Sequence, residues 1–139
     1  MSEINKPNGG GLQRVFKASY CSYLGIKAAI KEEAAFRQEL LLAIVMFPAS
    51  FWLAQDLIHW AVLVSVLILV LIVELLNSAI EALTDRVSTE RHVLSGRAKD
   101  MGSAAVTFSL LIVGIVWGVS LYIKISVMSR FLIINAALF

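Results

Sequence analysis

Glu74, Asn77, Glu81 and Asp85 recur along VELLNSAIEALTDR (73–86), directly after the apolar run LIHWAVLVSVLILVLI. On a helix turning about 100° per residue, Glu74, Glu81 and Asp85 fall within ~40° of one another, with Asn77 about 60° to one side. A carboxylate, an amide and two further carboxylates thus share one face over roughly 16 Å of rise. Ionisable groups at membrane depth are expensive and usually functional. Clustered carboxylates repel unless a proton or a divalent cation stands between them. Hard oxygen ligands suit Mg²⁺, which takes one or two carboxylates together with substrate phosphates. The apolar runs themselves contain no cation, so Glu74 and Glu81 either find a metal or pair with the basic segments on either side and only fix helix packing. Asp85 is also readable as an ordinary helix-end charge beside Arg86.

Two flanking stretches carry further polar groups. EEAAFRQE (32–39) sets Glu33 and Arg37 four residues apart, the spacing of a simple ion pair on a helix. GRAKDMGSA (96–104) does the same for Lys99 and Ser103. Lys99 is placed either to hold a phosphate as a point charge or to anchor the helix at the basic side of the membrane. Ser95 is a candidate cap for the helix that follows. No GxxxxGK[ST] loop and no HRD or DFG string occurs, which excludes the soluble nucleotide-binding patterns that depend on them.

These groups must be held by an all-α membrane bundle. Of 139 residues 59% are hydrophobic, beyond the usual share for a soluble domain. Three apolar segments are candidate spans: 38–54 with Pro48 inside, where a kink is expected; 57–87; and 98–123, whose stretch 104–123 has no charge. Basic residues collect before the first span (Lys6, Arg14, Lys17, Lys27, Lys31, Arg37) and in the 86–99 connection, while Gln55-Asp56 has none. The positive-inside rule therefore puts the N-terminus and the second loop in the cytoplasm. Residues 12–37 mix basic and apolar side chains and suit an amphipathic surface helix, broken near Gly25, or a helix packed on the other three. Residues 1–11 read as a flexible polar tail with no signal-peptide core, and 124–139 as an extension too short to cross a bilayer again, able to prolong the third helix or lie at the interface. A net charge of +2 with no basic-aromatic patch gives no case for nucleic acid, and a lone Cys21 excludes an intrachain disulfide.

The strings EAAFRQE (33–39), VELLNSAIEALTDR (73–86) and LSGRAKDMGSAAV (94–106) closely resemble the bacterial integral-membrane diacylglycerol kinases, over about residues 12–123. The resemblance implies homotrimers whose subunits each have three transmembrane helices and a surface helix, with composite active sites in the bacterial cytoplasmic membrane. It implies transfer of the ATP γ-phosphate to diacylglycerol, giving phosphatidate, with Mg²⁺. By the same resemblance Glu74 is the catalytic base, with Asn77 and Lys99 beside the reacting groups, and Glu33 and Glu81 hold the metal on ATP. The nucleotide positions are Arg14, Lys17, Cys21, Glu33, Glu81, Glu90, Arg91, His92, Lys99 and Asp100. Lipid-lining positions are Ala35, Phe36, Arg37, Gln38, Glu39, Trp52, Gln55, Trp60, Glu74, Ser103, Trp117 and Tyr122.

The chain departs from that pattern at Cys21, where relatives can carry Tyr, and at Arg91, which replaces an aromatic residue; both bear on adenine contacts and not on phosphate chemistry. His92 is equally readable as a solvated loop residue, and His59 as an outer-face interfacial residue without a function. Relatives acting on undecaprenol share the carboxylate and GRAKD-type elements, so an undecaprenol kinase is the alternative within the family. A non-catalytic membrane subunit or an ion pathway using the carboxylate face is the alternative of another class.

Overall fold

A computed structural model describes residues 11–87, 90 and 92–137, and among these every regular element is a helix. Helix α1 spans Leu12–Glu32, α2 Ala34–Leu53, α3 Leu57–Val87 and α4 Val93–Ala137. Three of them, α2, α3 and α4, are long and apolar enough to cross a membrane, and α3 is the most apolar, with a mean hydropathy of 2.6.

The first helix follows Gly11, whose φ of 61° lies in the left-handed region that glycine tolerates. It runs through Gly25 without interruption; a single internal glycine lowers helix stability but does not end it. The break falls instead at Glu33, which is extended (φ −103°, ψ 115°) and serves both as the end of α1 and the start of α2. Arg37 closes this corner. Its Nη1 donates to the carbonyls of Ile30 (3.1 Å) and Lys31 (3.2 Å), two acceptors left free at the end of α1. The Glu33–Arg37 ion pair that the spacing allowed is thus replaced by a side-chain cap.

Helix α2 stays helical past Pro48, so the expected kink does not interrupt it. The lost N–H bond of Pro48 is local, and the neighbouring buried Ser50 turns its hydroxyl onto the Phe47 carbonyl at 2.6 Å. The three-residue connection to α3 works as a cap: Asp56 Oδ1 accepts the His59 backbone N–H at 2.8 Å. At α4 the cap is His92, whose Nδ1 accepts the Leu94 N–H at 3.2 Å, while Ser95, the residue the sequence suggested, lies inside the helix. This helix begins earlier and ends later than the 98–123 expected. At about 1.5 Å per residue its 45 residues measure ~67 Å, so the extension continues α4 far past one bilayer width.

Helices α3 and α4 form the main antiparallel pair. Val66, Leu67, Val70 and Val113 make the buried core, with Ala43, Met46, Val116 and Trp117 packed against it. Leu63 is fully buried, and its carbonyl accepts the indole N–H of Trp117 at 3.3 Å. One end of the pair is fastened by His59. Its Nδ1 accepts the Gln55 N–H (3.3 Å), so Nε2 carries the proton and donates to Ser120 Oγ (2.8 Å), which in turn donates to the Val116 carbonyl. His59 therefore ties the α2–α3 corner to α4, a structural role that the sequence left unassigned.

Interhelical hydrogen bonds in membranes contribute about 0.6 kcal/mol on average and up to ~1.7. His59→Ala removes two contacts of the same ring and is expected to destabilise the fold by about 1–2 kcal/mol. If Glu74 has the catalytic role that the resemblance implies, turnover per folded molecule is retained, because His59 stands 15 residues, about 22 Å of helix, from it. Reversible unfolding in mixed micelles, with activity normalised to folded protein, checks both halves.

Candidate active site

The carboxylates of Glu33, Glu39 and Glu81 each lie within electrostatic range of Glu74 where the α1–α2 corner meets α3. Glu74 is 3% exposed and Asn77 9%, both facing the bundle, and Glu81 is half-buried one turn beyond Asn77. Glu74 repels two neighbouring charges, those of Glu81 and Glu33, and Glu39 in turn repels Glu74. The predicted strip of α3 is therefore real, and the break at Glu33 delivers Glu33 and Glu39 to it from a different element.

Glu39 is the member that sequence reasoning underrated. It entered only as a lipid-lining position, yet its Oε2 is buried without a hydrogen-bond partner, which marks it as an acid in the same cluster. The signal was present: Glu39 lies inside the predicted first span, where a carboxylate is costly. Asn77 bridges the strip, its Nδ2 donating to Glu81 Oε1 at 3.3 Å, while its Oδ1 is buried and unpaired.

A cation does approach, but one turn further out. Lys99 Nζ of α4 pairs with Asp85 Oδ1 at 2.6 Å and also lies within electrostatic range of Glu81. Asp85, the weakest of the three acids on sequence grounds, is thus the residue that positions Lys99 next to the strip. Asp100 is exposed beside it, and Ser103 is exposed one turn deeper on α4.

Between α1 and α3 opens a cavity of about 530 Å³, lined by Gly25, Ala28, Glu32 and Glu33 on one side and by Leu75, Ser78 and Ala82 on the other. Arg14, Lys17 and Cys21 lie on the same stripe of α1 as Gly25, Ala28 and Glu32, at about 100° per residue, and are exposed. Among the described residues, no hydrogen bond or ion pair joins their side chains to the carboxylates. Glu90 and His92 are exposed in the α3–α4 connection, and Arg91 lies outside the described residues.

The predicted lipid positions separate into two groups. Ala35, Phe36, Arg37, Gln38 and Glu39 occupy the first turns of α2 near the acids, with Phe36 buried. Trp52, Gln55, Trp60, Trp117 and Tyr122 gather at the opposite end of the spans, where Trp60 packs edge-on to Phe47 (6.4 Å) and Lys124 sits 5.6 Å over the Trp52 ring. Leu63, which Trp117 contacts, is about 16 Å of helix rise from Glu74. The second group has the composition of an interfacial aromatic belt.

Among the described residues, no three acids, histidines or cysteines meet closely enough to hold a metal by themselves. The donor set nonetheless fits a hard divalent cation that brings part of its coordination shell with it: carboxylate oxygens in excess of nearby cations, and an unpaired buried acceptor on Glu39.

The prokaryotic diacylglycerol kinase family model matches residues 20–121. The chain belongs to this family. It is similar to the diacylglycerol kinase of Haemophilus influenzae, 49% identical over 108 residues covering 78% of this chain and 92% of that protein. The diacylglycerol kinase of Escherichia coli strain K12 is 47% identical over 115 residues, covering 83% and 94%. That of Pseudomonas aeruginosa is 50% identical over 107 residues, covering 77% and 87%. Membership of this bacterial family and three apolar helices make the chain a bacterial membrane protein. The match ends at Leu121, so the prolonged part of α4 lies beyond the family region.

Glu39→Gln is expected to stabilise the metal-free protein by about 1 kcal/mol, since it removes a buried charge that repels Glu74 and offers that carboxylate a donor instead. Thermal unfolding in micelles containing a chelator measures this. A lowered midpoint would show that Glu39 already has a compensating partner.

Proposed function

We propose that this chain is an ATP-dependent diacylglycerol kinase of the bacterial inner membrane, working as a homotrimer with composite active sites and with its N-terminus and α3–α4 connection in the cytoplasm. The observation that carries the site assignment is the buried Glu74, set on one strip with Asn77 and Glu81 and faced by Glu33 and Glu39 across the α1–α2 break.

In this reading Glu74 takes the proton of the free hydroxyl of 1,2-diacylglycerol. The hydroxyl oxygen bonds to the γ-phosphorus, the bond from that phosphorus to the β–γ bridging oxygen breaks, and phosphatidate and ADP leave. Phosphoryl transfer asks mostly for positioning and charge neutralisation, which suits a site built from pre-placed acids and one lysine. Glu33 and Glu81 would hold Mg²⁺, which, when bound, neutralises phosphate charge. Lys99, held by Asp85, contributes a point charge on the nucleotide side. Arg14, Lys17 and Cys21 extend the same side along α1, with the connection at Glu90–His92 and Asp100. The lipid reaches Glu74 laterally past Ala35–Glu39 and Ser103.

The named relatives favour diacylglycerol over undecaprenol as the acceptor. Purified protein in mixed micelles with γ-labelled ATP should label dioleoylglycerol and leave undecaprenol essentially unlabelled; reversed labelling would transfer the chain to the undecaprenol reading, and labelling of neither lipid would remove the kinase reading. Glu74→Gln should lower turnover by about 10²–10⁴, the worth of a general base, while sparing MgATP affinity. Glu81→Gln should instead weaken metal-dependent nucleotide binding. Equal nucleotide affinity in the two variants would refute this division of roles.

A further inference from the structure

Gly102 lies buried on α4 directly opposite Asn77 of α3. A Cβ built on Gly102 would overlap Asn77 Oδ1 and stand 3.3 Å from its Cγ, while the Asn77 Cα is 3.8 Å away. The crowding therefore comes from the Asn77 carboxamide, since the two backbones alone leave room for a methyl group. Here the absence of a side chain matters for space and not for backbone conformation.

The orientation of that carboxamide is fixed by chemistry. Glu81 as a carboxylate only accepts hydrogen bonds, so the amide nitrogen of Asn77 must face it, as the 3.3 Å contact to Oε1 records. The amide oxygen is then turned to α4, where it is buried without a hydrogen-bond partner and faces a Cα–H of Gly102. A side chain at position 102 would drive the carboxamide away, and the Asn77–Glu81 bond would go with it.

We propose that Gly102 is a positioning residue for the nucleotide–metal site: it seats Asn77, and Asn77 orients the carboxylate of Glu81. The proposal rests on the reading that Glu81 binds MgATP. It assigns the glycine of GRAKDMGSA a task in the reaction although it touches neither substrate.

The test is a double-mutant cycle with Gly102→Ala, Asn77→Ala and the double variant, with Glu81→Gln as the reference. For each, binding of Mg²⁺ with a non-hydrolysable ATP analogue is measured by calorimetry, and thermal unfolding is followed in the same micelles. Gly102→Ala should weaken analogue binding about 5- to 10-fold, the loss of one hydrogen bond. Asn77→Ala should do the same, and the double variant should be no weaker than Asn77→Ala alone, because the group that the methyl displaces is already gone. Unchanged binding in Gly102→Ala, or additive losses in the double variant, would overturn the proposal. Should Gly102→Ala fail to fold, the double variant still decides: it has room for the methyl, and any further loss of affinity relative to Asn77→Ala refutes the coupling. If Glu81→Gln binds the analogue normally, the nucleotide reading fails, whereas the unfolding temperatures still report whether positions 77 and 102 are coupled.

Discussion

Repulsion among carboxylates at the edge of an apolar bundle sets the terms for the rest of the molecule. Glu74 and Glu81 share a face of α3, and Glu33 and Glu39 must be brought against them from elsewhere. One continuous helix through residues 33–39 would not do this, because six residues at about 100° each leave the two side chains some 120° apart. The extended backbone at Glu33 removes that constraint. Breaking a helix strands carbonyls at its end, and the guanidinium of Arg37 returns to satisfy two of them. The corner therefore brings the acids together, and Arg37 acts on its backbone.

The α3–α4 pair has to hold this arrangement without a strong hydrophobic force between helices, since lipid tails are as apolar as leucine. It does so with polar fasteners at both ends. His59 and Ser120 close the end away from the acids, and Lys99 and Asp85 close the other. Small or hydroxyl-bearing residues line the inner face of α4 from one fastener to the other: Gly102, Ser109 and Ser120 itself are all buried. Ser109 and Ser120 return their hydroxyls to the carbonyls of Val106 and Val116, so they permit close approach without leaving polar groups bare.

The sequence made the spans and the strip on α3 legible because both depend on local regularity. A charge-free run announces a membrane helix, and acids seven residues apart must share a face. What it concealed was set by tertiary geometry. The break at Glu33 has no proline or glycine to mark it, and Gly25, which looked like the break, is simply tolerated inside α1. Arg37 and Glu33 stand at ion-pair spacing, but that spacing presumes a helix which the chain does not form there. Capping was misread for the same reason: Ser95 is the better cap by residue type, yet α4 starts earlier and His92 takes the position. Glu39 was visible as an acid in a span, and only the folded corner shows that it faces Glu74.

If the proposed lipid positions are right, their division into two groups is accounted for by the size of a lipid. The hydrocarbon core is about 30 Å thick, so the chains of a glyceride reach roughly 15 Å from its polar end. On the proposed reading, a diacylglycerol with its hydroxyl at Glu74 would bring its chain ends close to the level of Leu63 and Trp117, about 16 Å along α3. On that reading Glu39, Ser103 and the first turn of α2 would face the reacting end and Trp117 the chain ends, while Trp60, about 21 Å of helix rise from Glu74, lies beyond them. Trp52, paired with Lys124 at the far boundary, lies beyond the reach of that molecule's polar end. A tryptophan beside a cation is a common anchor at a membrane interface. On the proposed reading depth matters, because Glu74 would have to stand where a lipid hydroxyl rests, and a bundle that slid along the membrane normal would separate the two.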